Sequence, residues 1–323
     1  MNKIIDYSDK WREGLRKYMH KVFPNYTDDY VQYCINHSTD RVPSKLVLND
    51  NDEIVGCHLY FCTKALVNGE EIETQWSHDT YIDEAYRVEV GMELMSLTHA
   101  IKGYGLGLTE MADKIQRKIF KNKFFKANNY YIINWKIIFS PLQRLLGIKT
   151  ELCDISLLNI NNYCFKRIKN VNDMVMPPDG YWFKGYRDIE FVRDAGFINE
   201  RFLNCKVHPY MLYANVSDNN PCYFVVRKTI YRGMPAVTLS DYRYVNNNQE
   251  ALSSIIKAVK QSATKSNIGI ILCMCGDVNM DKAIKKSFHF SRPVSFVSNR
   301  KKDNIDMSFI VTGGDSDADF LKN

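Results

Sequence analysis

The order of apolar patterns along the chain restricts its fold most, because the same order occurs twice. Residues 8–37 carry apolar side chains at helical spacing, which predicts two helices. The period then changes to two, and Asn68-Gly69 marks a hairpin between two strand-like runs. From Arg87 the pattern predicts a helix to about Ile101, a short strand, a second helix and a further strand. The predicted order of the first half is therefore ααβββαβαβ.

A second copy of this order follows residues 171–182, whose paired prolines suit a linker. The segments HDTYID (78–83) and SDYRYV (240–245) align by eye within the two copies. We therefore predict a mixed fold (α/β, with α+β character) in two domains, residues 1–170 and 171–323, each a mostly antiparallel central sheet flanked by helices. The alternative is that a common mixed order agrees by chance. The length of 323 residues favours two domains, since single cores usually stop growing below roughly 250–300 residues.

The charge and the cysteine content exclude several classes of protein. The net charge of +6 is mild for this length, and the basic stretch 114–126 predicts a solvated helix face rather than a nucleic-acid surface. Nine cysteines without a CxxC pair indicate reduced, mostly buried thiols, and CMC (273–275) lacks partner ligands for zinc. The N-terminus has no signal-like apolar core, and no run approaches about 18 apolar residues. We therefore expect a cytoplasmic protein without nucleic acid, bound metal or membrane insertion.

The stretch TYIDEAYRVEVGMELM (80–95) joins a strand to a helix through an acidic turn that contains Arg87. This junction and the element order resemble the GNAT family of acyl-CoA-dependent N-acetyltransferases, whose signature at that place is Arg/Gln-x-x-Gly-x-Gly/Ala. The tandem arrangement and the ending FIVTGGDSDADFL look like the two-domain GNAT proteins of bacterial surface-polysaccharide biosynthesis. The resemblance implies acetyl-CoA, or another acyl-CoA, as co-substrate. It also implies a small-molecule amine as acceptor, such as an amino sugar or a nucleotide-linked amino sugar.

The helix N-terminus at this junction can hold a pyrophosphate, because it offers unpaired N–H donors and a partial positive charge. Val90 and Met92 stand where the family has small residues, and Gly91 is the one glycine of the turn. Either the turn is one residue shorter, with Gly91 as its last glycine, or the pocket is degraded; the intact strand and helix pattern favours the shorter turn. The matching stretch 241–254 has no glycine, which predicts the weaker site in the second domain. The residues that the resemblance assigns to the cofactor are Tyr81, Ile82, Arg87, Val88, Glu89, Val90, Gly91 and Met92.

The catalytic candidates lie on the strand before this turn, because acetyl transfer needs a proton acceptor beside the thioester. His78 and Asp79 are adjacent, so a regular strand would send them to opposite faces, and Glu73 would share the face of Asp79. Asp79 or Glu73 is therefore the preferred base, with His78 as the alternative. The alternative for each of His78 and Asp79 is a purely structural role. The family often uses a Tyr to reprotonate the thiolate, and the expected helix has none, so the residues that would substitute are Tyr104, Tyr130 and Tyr131.

The C-terminal stretch GGDSDADF places Asp315, Asp317 and Asp319 in alternation. Asp315 and Asp317 would bind an amino-sugar substrate if they line a cleft; a solvated tail is the alternative, and the EF-hand pattern for Ca²⁺ is absent. Two other functions remain open: a non-catalytic binding or scaffolding protein whose cofactor turns have decayed, and a Fem-like aminoacyl transferase. The mild charge and the lack of a basic helical arm argue against the second.

Overall fold

The computed structural model describes residues 2–38, 41–216, 220–304 and 306–315. The strands in these ranges are β1 (Lys3–Asp6), β2 (Lys45–Leu48), β3 (Ile54–Val67), β4 (Glu70–Ile82), β5 (Tyr104–Leu106), β6 (Lys123–Ile133), β7 (Leu157–Ile160), β8 (Tyr163–Ile168), β9 (Ile189–Phe191), β10 (Met211–Asn215), β11 (Cys222–Tyr231), β12 (Met234–Tyr244), β13 (Ile270–Gly276), β14 (His289–Ser298) and β15 (Phe309–Thr312). The α-helices are α1 (Arg12–Val22), α2 (Asp28–His37), α3 (Arg87–Ala100), α4 (Glu110–Lys118), α5 (Ser140–Leu145), α6 (Ala195–Ile198), α7 (Gln249–Lys265) and α8 (Val278–Ile284). Within the described part of the chain, no helix is long and apolar enough to cross a bilayer.

The chain divides into two compact units. The first unit comprises Met1–Lys64, Ile72–Phe125 and Ser295–Asp306, and the second comprises Ala65–Glu71, Lys126–Val294 and Met307–Asn323. These bounds differ from the division at residue 170 that the sequence predicts. Residues 126–170 lie in the second unit because β6 pairs with β13 from Asn128↔Cys275 to Ile133↔Ile270.

The first unit contains a mixed sheet. Its strands are ordered β1-β2-β3-β4-β5-β14, with antiparallel pairing of β1 with β2, β2 with β3 and β5 with β14. The chain crosses over through α3 between β4 and β5, so these two strands run parallel. The prediction of a mostly antiparallel sheet therefore needs correction to a mixed one. Among the described residues, β4 and β5 pair only at Trp76↔Tyr104 and Ser77↔Gly105, and β4 continues to Ile82 beyond the last pair.

One side of α3 fixes that helix against the sheet of the first unit. Val90 and Leu94, four residues apart and therefore on one helix face, are buried in a cluster with Val47, Val55 and Ile82. The start of α3 is held in this way beside the end of β4. The first turn of the helix thus has a fixed position relative to the strand that carries the catalytic candidates.

The second unit also contains a mixed sheet, ordered β6-β13-β12-β11-β10-β8-β7. Strands β12 and β13 are parallel, and β15 pairs antiparallel with β13 and parallel with β9. The sequence pattern missed β1, β7, β8, β9, β14 and α5. Strand β14 contains Pro293, a residue that argues against a strand when it is judged from sequence alone.

Candidate active site

Strand β4 is irregular at Asp79, and this irregularity creates the site. Asp79 has φ 40°, in the left-handed region that Asp tolerates better than most residues. In a regular strand His78 and Asp79 would face opposite sides, but here His78 Nδ1 lies 3.1 Å from Asp79 Oδ2. The prediction from strand parity is therefore wrong, because one left-handed residue turns both side chains into the same cluster.

Glu73, the other preferred base, is not part of this cluster. It lies six residues before Asp79 on β4, which places it roughly 20 Å away along the strand. The Glu73 carboxylate is half exposed and pairs with Arg41. Asp79 and His78 are thus the two predicted catalytic residues that the structure brings together.

Helix α2 and the turn before it supply the donors that surround the Asp79 carboxylate. Tyr26 OH donates to Oδ1 at 2.6 Å, and Tyr30 OH donates to Oδ2 at 2.8 Å. Cys34 follows Tyr30 by one helical turn, and its Sγ lies 3.9 Å from the same Oδ2. Thr27 begins the helix by accepting the Tyr30 N–H, which orients this face of α2. Sequence reasoning could not predict these contacts, because the partners lie about fifty positions apart.

The hydrogen bonds keep Asp79 charged despite its burial. Burial alone raises the pKa of the carboxyl, but the hydrogen bonds from His78 and from the two tyrosine hydroxyls lower it below its ordinary value of 3.8. The charged Asp79 accepts a hydrogen bond from the Nδ1–H of His78, which leaves the lone pair of the ring on Nε2. Nε2 is buried and has no hydrogen-bond partner among the described residues. Asp79 therefore fixes the orientation of the His78 ring, and the basic nitrogen Nε2 makes no hydrogen bond to the described residues.

The same cluster could be considered as a metal site. Cys34, His78 and Asp79 each offer a ligand atom, and these atoms lie within 4.8 Å of one another. A tetrahedral zinc site needs a fourth ligand, and both oxygens of Asp79 already accept hydrogen bonds. The residues present therefore fit a hydrogen-bonded network better than a metal centre.

A second histidine contacts β4 through two hydroxyl side chains. His58 Nε2 lies 2.7 Å from Ser77 Oγ, and His58 Nδ1 lies 2.6 Å from Thr80 Oγ1. Burial, with a smaller contribution from His78, lowers the pKa of His58 to about 3. His58 is thus a neutral bridge that fixes β4 on either side of the irregular residue. Sequence reasoning missed it, because His58 sits in an otherwise apolar strand.

The start of α3 differs in part from the predicted phosphate turn. A 3₁₀ helix (Glu84–Tyr86) runs directly into α3, and the Arg87 N–H already donates to the Glu84 carbonyl. The N–H groups of the first turn that lack an α-helical partner by position are those of Val88 and Glu89. No side chain caps α3 among the described residues, and Val88 is 96% exposed.

The two bulky residues of the turn do not close it. Val90 is buried in the core cluster, and Met92 is 45% exposed. A Cβ added to Gly91 would meet only Ile82 Cδ1, at 3.9 Å, so the space in front of Gly91 is open. Arg87 Nε donates to the Ile82 carbonyl at 2.8 Å and therefore ties the helix to the end of β4.

The guanidinium of Arg87 also lies over the ring of Tyr81, 5.3 Å from its centroid. Acids flank this turn and oppose an anionic ligand: Asp83 pairs with Lys21 at 2.8 Å, and Glu89 accepts from Asn2 at 2.6 Å. The end of β4 and the start of α3 thus carry one cation and several anions within a few residues.

The remaining predicted site residues lie elsewhere. Tyr104 is buried and donates to Asp303 at 3.1 Å, so its hydroxyl is engaged in the first unit. Asp315 is buried in the second unit and accepts from Arg193 at 2.6 Å, which corrects its expected place at a substrate cleft. Asp317 lies outside the described residues.

Comparison with known proteins identifies the fold. The sequence matches no protein-family model and no curated protein. A GCN5-related N-acetyltransferase from Anabaena variabilis matches with TM-score 0.57 and 10% identity over 93% of this chain and 73% of that one. A probable N-acyltransferase of unknown function from Enterococcus faecalis matches with TM-score 0.56 and 12% identity over 92% and 72%. N-myristoyltransferase of Saccharomyces cerevisiae, with bound myristoyl-CoA, matches with TM-score 0.53 and 9% identity over 92% and 82%. The chain therefore has the fold of GCN5-related N-acetyltransferases.

Proposed function

We propose that the protein is an acyl-CoA-dependent N-acyltransferase whose active site lies in the first unit. One observation carries the proposal: the part of β4 beyond its last pair with β5 connects the His78–Asp79 pair to the uncapped start of α3. An extended thioester cofactor needs a strand edge for its amide groups and N–H donors for its phosphates. The likeness to acyltransferases of the same fold supports this choice among possible ligands.

The reaction follows from the orientation of His78. A neutral amine attacks the thioester carbonyl carbon, the C–N bond forms, and the C–S bond breaks to release the CoA thiolate. The proton lost by the amine goes to His78 Nε2, and the charged Asp79 stabilises the resulting imidazolium through Nδ1. That proton, or one from solvent, then neutralises the thiolate. Because the His78 side chain is fully buried, the amine reaches Nε2 only when the side chains over it, including the stacked ring of Phe61, move aside.

We assign the cofactor to the first unit because the corresponding turn in the second unit is blocked. Asn248 caps α7 and accepts the N–H groups of Glu250 and Ala251, the donors that a phosphate would need. The register of β11 with β12 shifts between Val225 and Val226, which leaves Ser240 as the extra residue beside Asp241. These two residues align with His78 and Asp79, so the second copy keeps the irregular strand but has no imidazole.

This correspondence supports a tandem arrangement of two GNAT-like domains, the second with a degenerate cofactor site. In that copy the aspartate is bound by cations, because Asp241 pairs with Arg193 at 2.7 Å and with Arg243 at 2.8 Å. The acyl group is acetyl or a longer chain. The acceptor is a primary amine, and an amino sugar or nucleotide-linked amino sugar is suggested only by the sequence resemblance.

Release of CoA thiol tests the proposal. Acetyl-CoA and myristoyl-CoA would each be incubated with a panel of amines, including amino sugars and N-terminal peptides, and free thiol would be measured. We expect His78→Ala to lower the rate with the best pair by about 10²–10⁴-fold. His99→Ala, which removes another imidazole of the first unit, should leave the rate unchanged. Equal rates for the wild type and His78→Ala would exclude His78 as the base.

A second function is favoured by two observations. The basic nitrogen of His78 is covered, and Glu84 and Glu89 oppose an anion at the start of α3. Both features suit a non-catalytic protein whose cofactor turn has decayed. This alternative predicts no thiol release with any amine of the panel, even where acyl-CoA binds.

A further inference from the structure

An exposed apolar segment stands out on the second unit. We call residues 135–148 the apolar segment; it consists of a 3₁₀ helix (Trp135–Phe139), the helix α5 and the turn that follows. Its exposed large apolar side chains, with the exposed fraction of each, are Trp135 60%, Ile138 67%, Phe139 41%, Leu142 52%, Leu145 82%, Leu146 61% and Ile148 49%. A folded chain rarely leaves so many apolar side chains together in water, and such patches usually mark an interaction surface.

The apolar segment is held firmly in this outward orientation. Asn134, just before it, donates to Thr264 Oγ1 at 2.7 Å, and Gln143 donates to the Asn267 carbonyl at 3.0 Å. The backbone at Ile137 packs so closely on Gly269 that a Cβ there would lie 2.3 Å from Ile137 Cα. The exposed side chains are therefore displayed by a fixed backbone rather than by a loose loop.

The charged side chains of the apolar segment have one sign. Residues 126–150, which include the segment, contain four Lys or Arg and no Asp or Glu, and Lys136, Arg144 and Lys149 belong to this stretch. Lys136 Nζ lies 4.2 Å from the centroid of Trp135 and 5.4 Å from that of Phe139, so the cation sits among the exposed rings. Lys136 can therefore attract an anionic group to the exposed aromatic rings.

A groove beside the apolar segment combines the two properties. It has a volume of about 560 Å³ and is lined by apolar Phe139, Leu142 and Ile148 together with the cations Lys136 and Lys265. One acid, Glu151, also lines it, and this carboxylate is paired with Lys228 at 2.6 Å. The groove is therefore lined by both apolar and cationic side chains.

We propose that the apolar segment docks on the surface of a bilayer that contains anionic lipid. Trp, Phe and Leu with flanking Lys and Arg are the residues that segments lying in the membrane interface use, the apolar side chains entering the acyl boundary and the cations meeting phosphate headgroups. A second copy of the chain suits the surface less well. A symmetric dimer through this face would bring Lys136, Arg144 and Lys149 of both copies against each other, and residues 126–150 contain no acid that could pair with them.

Flotation with lipid vesicles tests the docking. Vesicles of phosphatidylcholine alone and of phosphatidylcholine with phosphatidylserine would be mixed with the full chain and floated through a density gradient. We expect the protein to float with the anionic vesicles, to float far less with the neutral ones, and to detach in high salt. Replacing Lys136, Arg144 and Lys149 by Gln should weaken binding by about fivefold per cation.

A matched pair of variants separates docking from general stickiness. Ile138→Gln with Leu145→Gln should abolish flotation. Met111→Gln with Ile119→Gln, which removes two exposed apolar side chains on α4 and at its C-terminal cap, should not change it. Trp135 gives an independent readout, because it is 60% exposed, whereas Trp76 and Trp182 are buried and Trp11 is partly buried. Its emission should shift to the blue with anionic vesicles, and Trp135→Phe should remove the shift.

The outcomes decide the proposal in both directions. Flotation that depends on phosphatidylserine and is lost in the Ile138→Gln, Leu145→Gln variant supports it. Absence of flotation, equal flotation with neutral vesicles, or flotation that survives in that variant overturns it. Sedimentation equilibrium provides the last arm, because a wild-type dimer that this variant converts to a monomer would assign the surface to a second copy instead. Circular dichroism of each variant must first show an unchanged fold.

Discussion

Replacing Asp79 by Asn should destabilise the protein, because the substitution removes the charge on which three donors converge. Tyr26 OH, Tyr30 OH and His78 Nδ1 all point at this carboxylate, whose side chain is 4% exposed. A hydrogen bond to a charged group contributes about 1.5–3 kcal/mol and a neutral one about 0.5–1.5 kcal/mol. Three hydrogen bonds weakened by about 1 kcal/mol each sum to about 3 kcal/mol. Part of this loss is offset, because burying a neutral amide costs less than burying a charged carboxylate. We therefore expect a loss of about 2 kcal/mol in the free energy of unfolding.

Urea unfolding followed by circular dichroism would measure this loss, and Asp83→Asn provides the control. Asp83 also accepts from a tyrosine hydroxyl and pairs with a lysine, but its side chain is 20% exposed and Lys21 is 64% exposed. Such a solvated pair should contribute no more than about 1 kcal/mol. An Asp79→Asn protein as stable as the wild type, or no less stable than Asp83→Asn, would refute the network as a source of stability.

The contribution of the Asp79 carboxylate to the free energy of unfolding should depend on pH. The pKa of Asp79 is lower in the folded state than its ordinary value of 3.8. The carboxylate therefore stabilises the fold above that value, and the contribution disappears as the pH falls through the lower folded-state pKa. The difference between the wild type and Asp79→Asn should then persist from about pH 7 down to about pH 5. A difference that vanishes within this window would contradict a charged Asp79.

Three further predictions concern charge and packing. Replacing Glu84 and Glu89 by Gln should tighten acyl-CoA binding about two- to fivefold per charge at low salt, because both acids repel an anion at the start of α3. Unchanged affinity in a titration would place the phosphates of the cofactor elsewhere. Burial raises the pKa of Glu190 to about 7, so the free energy of unfolding should fall by up to about 3 kcal/mol as the pH rises from about 4.5 to 7. Glu190→Gln should remove this pH dependence. A pH dependence that persists in the variant would assign it to another group. Gly269→Ala should cost at least about 3 kcal/mol in urea unfolding, because its Cβ would lie 2.3 Å from Ile137 Cα; a loss below about 1 kcal/mol would show that the backbone moves easily.

Local pattern predicted the elements that position the site. The Asn68-Gly69 hairpin is confirmed, with both residues at positive φ between β3 and β4. The helix expected from Arg87 to about Ile101 is α3, which ends at Ala100. These features depend on residues within a few positions of each other, so the sequence is enough to predict them.

The features that depend on distant residues could not be predicted in the same way. Strand periodicity does not predict the left-handed backbone of Asp79, and this backbone conformation brings the side chains of His78 and Asp79 into contact. Tyr26 and Tyr30 reach Asp79 across about fifty positions, and 20 tyrosines in the chain gave no reason to choose these two. The bounds of the two units depend on pairing between β6 and β13, which are also far apart in sequence.

Isothermal titration with acetyl-CoA and with myristoyl-CoA tests the central claim, that the open edge of β4 and the start of α3 hold an acyl-CoA. The wild type would be compared with Gly91→Trp, which fills the space before the first turn, and with Leu97→Trp on a 40% exposed position near the other end of α3. We predict binding of at least one acyl-CoA by the wild type and by Leu97→Trp, and its loss in Gly91→Trp. Undiminished binding in Gly91→Trp, or no binding by the wild type, would contradict the account.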